Sequence, residues 1–121
     1  IKKDIGSLRK HGADINNIVN NMDPYDIDSN LYKLIRSGAD INNIVKHMEP
    51  KDIIIRLDSL IEYGADIDVN KLVSSLDSDS VDDNLLSLLR HGADVNNVIK
   101  NLDKEDIEDN IGLLRKYGAN L

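Results

Sequence analysis

The side chains of this chain that could act in catalysis or bind a metal are its carboxylates and its three histidines. Its 121 residues include no cysteine. There is therefore no thiol nucleophile, disulfide framework or cysteine-type zinc site. His11 and His91 stand before repeated glycines, where Tyr63 and Tyr117 also occur, and this indicates a packing position rather than a ligand. No serine accompanies a histidine in a nucleophile pattern, and no glycine-rich phosphate loop is present. We predict that the protein is not an enzyme and uses no cofactor.

The densest run of carboxylates, at residues 77–83, could be read as a calcium site. Its members are Asp77, Asp79, Asp82 and Asp83. The run lacks the glycine in the middle and the glutamate at the end that define an EF-hand loop. Its register places Asp77 before a helix and the other acids in the first turns, where carboxylates are stabilised by the backbone N–H groups and the helix dipole. We predict helix capping here and no metal site.

The composition predicts a folded, acidic protein with an aliphatic core. Hydrophobic residues make up 40% and charged residues 31%, while the only aromatic residues are four tyrosines. The net charge of −7 disfavours nonspecific attraction to phosphate backbones or anionic membranes. No apolar run approaches the roughly 18 residues that span a bilayer. We expect an intracellular, cytoplasmic protein without membrane contact, and, since it starts at Ile1, a part of a longer or processed chain.

The main feature of the sequence is a repeat marked by a Gly-Ala-Asp or Gly-Ala-Asn motif. The motif starts at Gly12, Gly38, Gly64, Gly92 and Gly118, with spacings of 26, 26, 28 and 26 residues. We place the two-residue insertion of the third repeat at Asp68-Val69. The prediction is one repeat array with a partial repeat at 1–11, full repeats at 12–37, 38–63, 64–91 and 92–117, and a short end at 118–121.

Each repeat shows helical periodicity in two segments. Helix A, of about eight residues, follows an N-cap aspartate such as Asp40, and its apolar residues are spaced i, i+3, i+4 and i+7. Helix B, of about twelve residues, starts near Pro50 and ends before Gly64, a position that favours a left-handed backbone. In the repeat 38–63 the predicted core residues are Ile41, Ile44, Val45, Met48, Ile53, Leu57, Leu60 and Ile61. In the last repeat, helix B contributes Ile107, Ile111, Leu113 and Leu114.

Helices of this length are not stable alone in water, so the repeats must stack and share a core. The predicted fold class is therefore all-α, an α-solenoid of two-helix hairpin repeats of about 26 residues.

The junction between repeats resembles that of a known family. The segment Leu-Leu-Arg-His-Gly-Ala-Asp-Val-Asn at 88–96 is similar to the second helix and exit turn of an ankyrin repeat, and residues 34–42 match it nearly as well. The Thr-Pro-Leu-His opening of ankyrin repeats is absent, and the period leaves no room for their β-hairpin finger. A weaker similarity links the short helices to transcription-activator-like effector and mitochondrial termination factor repeats. We carry over no functional residue from these families.

We expect the chain to be a scaffold that binds a protein or peptide. The predicted contact patch is Ile54 and Ile55, at positions where the other repeats carry polar residues. The alternative is a modular nucleic-acid-binding protein, whose periodic asparagine ladder and basic row at the helix ends would make the contacts. The ladder consists of Asn16, Asn17, Asn42, Asn43, Asn96 and Asn97, and the basic row of Arg36, Arg90 and Lys116.

Two further expectations concern the array as a whole. The segment could be a structural spacer or an engineered repeat array without a binding role. The incomplete first repeat would expose an apolar face of helix B, which predicts end-to-end self-association.

Overall fold

A computed structural model describes residues 15–121, so the predicted partial repeat at 1–11 and His11 lie outside the described residues. The described part contains twelve helices of six residues each and no strand. They are α1 (Ile15–Asn20), α2 (Pro24–Ser29), α3 (Leu31–Arg36), α4 (Ile41–Lys46), α5 (Pro50–Ile55), α6 (Leu57–Glu62), α7 (Val69–Ser74), α8 (Ser78–Asp83), α9 (Leu85–Arg90), α10 (Val95–Lys100), α11 (Lys104–Asp109) and α12 (Ile111–Lys116).

The chain divides into two compact units, the first ending at Asp66 and the second running from Ile67 to Leu121. In the first unit, α2 packs on α3 and α5 on α6, while α1 packs on α4 of the following repeat. In the second unit, α8 packs on α9, α11 on α12, and α7 on α10. Adjacent helices thus pack in pairs, and within each unit two successive repeats pack through their first helices. This confirms the predicted all-α class of helical-hairpin repeats.

The predicted twelve-residue helix B is two six-residue helices, and this corrects the sequence-based expectation. A single residue separates the two helices, with φ near −110° and ψ near 16° at Asn30 and similar angles in the other repeats. Asn30 Nδ2 donates to the carbonyl of Asp26 at 2.8 Å, and Asn84 and Asn110 make the same bond to the residue four positions earlier. The break does not depend on this bond, because the carbonyl of Asp26 also accepts the backbone N–H of Asn30, and Arg56 takes the same angles without an asparagine side chain.

The two extra residues of the third repeat lie in the turn, which corrects their placement at Asp68-Val69. Helix α7 begins at Val69, five residues after Gly64, whereas α4 begins three residues after its glycine. Asp68 is the N-cap of α7, and its carboxylate accepts the N–H of Lys71 at 3.1 Å. The longer turn therefore precedes α7, and α7 has six residues like the other described helices.

The repeated glycine ends helix B in the left-handed conformation that the motif predicts. The φ angles of Gly38, Gly64, Gly92 and Gly118 are 94°, 95°, 94° and 103°. At Gly64, the N–H of the glycine bonds to the carbonyl of Ile61, and the N–H of Ala65 bonds to that of Leu60, both at 2.9 Å. The same pair of bonds occurs at the other three glycines. These bonds satisfy carbonyls that the end of a helix otherwise leaves without a partner.

The carboxylates around the turns act as caps. A side-chain oxygen accepts a first-turn N–H at Asp23, Asp40, Asp68, Asp77, Asp94 and Asp103. Glu49 holds the N-cap position of α5 without such a bond, and Pro50 follows it as the first helical residue. The capping role predicted for Asp77 is thus confirmed.

The core is aliphatic and follows the predicted periodicity in part, since Ile41, Val45 and Ile61 of the repeat 38–63 are only half-buried. Its fully buried side chains are Ile27, Leu31, Leu34, Ile44, Leu57, Leu60, Leu88, Leu114, Val19, Val73 and Val81. In the last repeat, Ile107, Ile111 and Leu113 are only half-buried, although the spacing predicted them as core.

We predict that Gly92→Ala lowers the free energy of unfolding by about 1 kcal/mol, because a Cβ is unfavourable at a φ of 94°. A Cβ on Gly92 would meet no atom within 4 Å, so this cost is conformational and not steric crowding. The control is Gly112→Ala in α12, where the glycine is helical and equally open, and where alanine should add about 1 kcal/mol. Urea unfolding measures both, and equal midpoints for the two variants would contradict this account.

Candidate interaction surface

In two of the three predicted ladder pairs, and at Asn70 in the same register, the first asparagine bonds to the next repeat. The Oδ1 atom of Asn16 accepts the backbone N–H of Asp40 at 2.9 Å, and Asn42 accepts that of Asp66 at 2.7 Å. In the second unit, Asn70 accepts the N–H of Asp94 at 2.7 Å. A backbone N–H can only donate, so the atom that faces it must be the amide oxygen. We call this contact the inter-repeat bond.

The second asparagine of the pair also reaches back to the preceding repeat. Asn43 Nδ2 donates to Oδ1 of Asn20 at 3.0 Å, and Asn97 Nδ2 donates to the carbonyl of Asn70 at 3.0 Å. His47 Nε2 lies 2.9 Å from the same Asn20 oxygen. Within the described residues, the asparagine ladder is thus largely part of the contact between repeats. Asn17 is exposed, and Asn96 is exposed with its backbone N–H bonded to Asp94.

An ion pair with two tyrosines joins the repeats of the first unit at a second place. Arg56 Nε donates to Asp28 Oδ1 at 2.6 Å, and the guanidinium carbon lies 5.7 Å from the centre of the Tyr32 ring. The Tyr32 and Tyr63 rings are 6.0 Å apart and tilted by 54°. Tyr32 is 37% and Tyr63 50% exposed. The sequence analysis missed this cluster, because its residues come from different helices, and only the 28-residue spacing of Asp28 and Arg56 could have indicated it.

The surroundings shift the pKa values of two side chains in this cluster. The hydrogen bond with Ser59 lowers the pKa of Tyr32, and the Arg56 guanidinium lowers it further. The hydrogen bond with Asp28 raises the pKa of Arg56.

The second unit uses equivalent positions with different side chains. Asn110 Nδ2 donates to Asp82 Oδ1 at 2.6 Å, across the same 28 residues as the Asp28–Arg56 pair. Ser78 Oγ donates to Asp106 at 2.9 Å and accepts the N–H of Asp103 at 2.9 Å. The Asp28–Arg56 and Asp82–Asn110 pairs thus connect repeats at the same place in each unit, whereas the Ser78 contacts have no counterpart at Pro24 or Pro50.

The predicted apolar patch at Ile54 and Ile55 is not one surface. Ile54 is buried, with 3% exposure, whereas Ile55 is 74% exposed. Ile54 occupies the position that carries Asp28 in α2, which is turned toward the neighbouring repeat, so it belongs to the core and cannot contact a partner directly. Tyr25 in α2, which the sequence analysis did not select, is 77% exposed.

The basic row lies at the surface. Arg36 ends α3 in the first unit, and Arg90 and Lys116 end α9 and α12 in the second. All three are exposed, while the matching position in α6 carries Glu62.

Searches of protein-family models, curated proteins and solved structures found no match to this chain. No helix between residues 15 and 121 is long and apolar enough to cross a membrane. In the same range, no three histidine or acidic side chains come close enough together to hold a metal ion.

We predict that Ser59→Ala raises the pKa of Tyr32, because the hydrogen bond that lowers it is lost. In the wild type, the folded pKa lies below the unfolded value of about 10, so stability should increase as the pH rises through the folded pKa. A carbon NMR titration of the tyrosine rings measures this pKa. The control Ser87→Ala, at the matching position of the second unit, should leave the Tyr32 titration unchanged, and an unchanged titration in Ser59→Ala would show that the contact is absent.

Proposed function

We propose that this protein is a non-catalytic repeat scaffold that binds a protein or peptide partner along the surface of its stacked helices. The observation that carries the proposal is the exposure of Tyr25 and Ile55 on the outer side of α2 and α5. Large apolar side chains that are three-quarters exposed cost solvation and add nothing to a core.

The fold does not need apolar residues at these places. The matching positions of the second unit carry carboxylates, which are Asp79, Asp83, Glu105 and Asp109, and all four are exposed. Since α8 and α11 form and pack with these acids, Tyr25 and Ile55 are free to serve another role. Tyrosine and large aliphatic side chains are typical anchors in protein interfaces.

The Tyr32–Tyr63–Arg56 cluster supports the same proposal. Tyrosine and arginine dominate the energetics of many protein interfaces, and these side chains are partly exposed, with Arg56 held by its ion pair with Asp28. The ankyrin-like Gly-Ala-Asp junctions also favour a binding scaffold. We place this function inside the cell, because a chain without cysteine has no disulfide framework of the secreted type.

The second candidate function is nucleic-acid binding, favoured by the exposed Arg36, Arg90 and Lys116. Two observations weigh against it. The oxygens of Asn42 and Asn70 are engaged in inter-repeat bonds, and the net charge of −7 opposes phosphate backbones.

We predict that the affinity of the double variant Tyr25→Asp, Ile55→Asp for partner proteins is at least about tenfold lower, because both apolar anchor side chains are removed. Aspartate occurs at the matching positions Asp79 and Asp83, so the variant should keep its helical circular dichroism and its melting temperature. Quantitative affinity capture with the immobilised chain, followed by mass spectrometry, measures the loss.

The matched control is Asn17→Asp, Asn96→Asp, which adds the same two charges at exposed positions of α1 and α10 and should retain every partner. Equal capture by the double variant and the wild type would contradict the proposal. A gel shift of single-stranded RNA at about 50 mM salt that disappears at about 200 mM would instead support the nucleic-acid function. A well-folded chain that captures nothing and shifts nothing would point to a spacer.

A further inference from the structure

The end of α6 carries a charge that does not favour the helix. Glu62 is the last residue of α6, whereas the matching helices α3, α9 and α12 end in Arg36, Arg90 and Lys116. The C-terminal end of a helix carries partial negative charge, so a carboxylate there is destabilising and a cation is stabilising. Glu62 is exposed, and no cation between residues 15 and 121 lies within ion-pair distance of it. The fold therefore does not account for this charge.

Asp58 adds a second carboxylate on the same side of α6. It precedes Glu62 by four residues, a spacing that places two side chains on one face of a helix, and both are exposed. At the matching positions of the other repeats, the chain has Tyr32, Leu86 and Gly112, so the repeat does not require an acid there. The outer side of α6 is thus more negative than the same side of α3, α9 and α12.

Two partly exposed tyrosine rings lie next to these carboxylates. Tyr63 directly follows Glu62 and is the C-cap of α6, and its ring centre lies 6.0 Å from that of Tyr32. Arg56 shows how a guanidinium binds in such surroundings, because it lies 5.7 Å from the centre of the Tyr32 ring and is bonded to Asp28. Tyr63 is 50% exposed, so a second guanidinium can reach its ring from outside the chain.

The apolar anchor Ile55 lies close to this acidic and aromatic end. It precedes Asp58 by three residues and Glu62 by seven, and the three side chains are exposed at spacings typical of one helix face. A rise of about 1.5 Å per residue separates Ile55 from Glu62 by at most about 10 Å. An extended peptide covers that distance with about three residues. All of these residues belong to the first unit.

We propose that the partner of the first unit is a peptide segment that carries a large apolar residue and, about three residues away, an arginine. The apolar side chain packs on Ile55 and Tyr25. The guanidinium pairs with Glu62 and lies over the Tyr63 ring. This inference rests on the proposed function, because it names the partner chemistry for the surface of Tyr25 and Ile55.

The combination of a carboxylate and an aromatic ring favours arginine over other ligands. A planar guanidinium donates two parallel N–H groups to a carboxylate and also stacks on an aromatic ring, whereas an ammonium has only a point charge. Phosphates of a nucleic acid and carboxylates of an acidic peptide would be repelled by Asp58 and Glu62. Charge complementarity therefore selects a cationic segment.

Reversing the charge of Glu62 separates binding from folding. Glu62→Arg gives α6 the residue that ends α3 and α9, so the helix end becomes more favourable and the melting temperature should not fall. The same change removes the carboxylate that pairs with the peptide and adds a repulsive charge. The control is Lys116→Glu, the opposite charge change at the matching position of α12, which should leave binding unchanged.

The experiment selects binders for the wild-type chain from a phage-displayed library of random linear peptides and discards phage that also bind Tyr25→Asp, Ile55→Asp. We expect the enriched peptides to share a large apolar residue and an arginine. The affinity of the best synthetic peptide, measured by calorimetric titration, should fall about tenfold or more in Glu62→Arg. A peptide with glutamate in place of its arginine should regain affinity for that variant.

The outcomes separate this inference from the proposed function. Enriched peptides without a cation, or an affinity that Glu62→Arg leaves unchanged, would overturn the inference while the scaffold proposal stands. A selection without any peptide that depends on Tyr25 and Ile55 would count against both. Self-association of the chain that Tyr25→Asp, Ile55→Asp abolishes, measured by sedimentation velocity, would replace the peptide by a second copy.

Discussion

The shortness of the helices is the constraint on which the rest of this structure depends. Six residues form too few backbone bonds for a helix to persist alone in water, so each helix needs caps at its ends and neighbours on its side. The aspartate caps and the left-handed glycines provide hydrogen-bond partners at the helix ends. The inter-repeat bonds connect each first helix to a neighbouring repeat. The Asn42–Asp66 bond is an instance, because it joins the first helix of one repeat to the turn that starts the next.

Features set by local backbone chemistry were predictable from the sequence. The left-handed turn at Gly64 and the caps at Asp40 and Asp77 follow from residue type and spacing, and the structure contains them. The break within the predicted helix B was not predictable in this way. It occurs at Asn30 and equally at Arg56, so no single residue type marks it, and the apolar spacing continues across it.

The candidate surface was likewise predictable from the sequence only in part. The exposure of Ile55 was expected from its position, but the burial of Ile54 depends on which side of α5 faces the neighbouring repeat. The asparagine pairs were visible as a ladder, whereas the engagement of Asn70 Oδ1 with Asp94 needs coordinates. Periodic polar residues alone cannot tell a ligand contact from a contact between repeats. Here the amide oxygens of Asn42 and Asn70 serve the contact between repeats.

The measurement that tests the central claim most directly is amide hydrogen exchange by NMR at Asp40, Asp66 and Asp94. These three N–H groups bond only to an asparagine side chain of the preceding repeat, and their residues are exposed. The account predicts exchange at least about tenfold slower than in an unfolded chain, and a loss of this protection at Asp94 in Asn70→Ala. Exchange at unfolded-chain rates in the wild type would contradict the claim that the asparagines hold the repeats together.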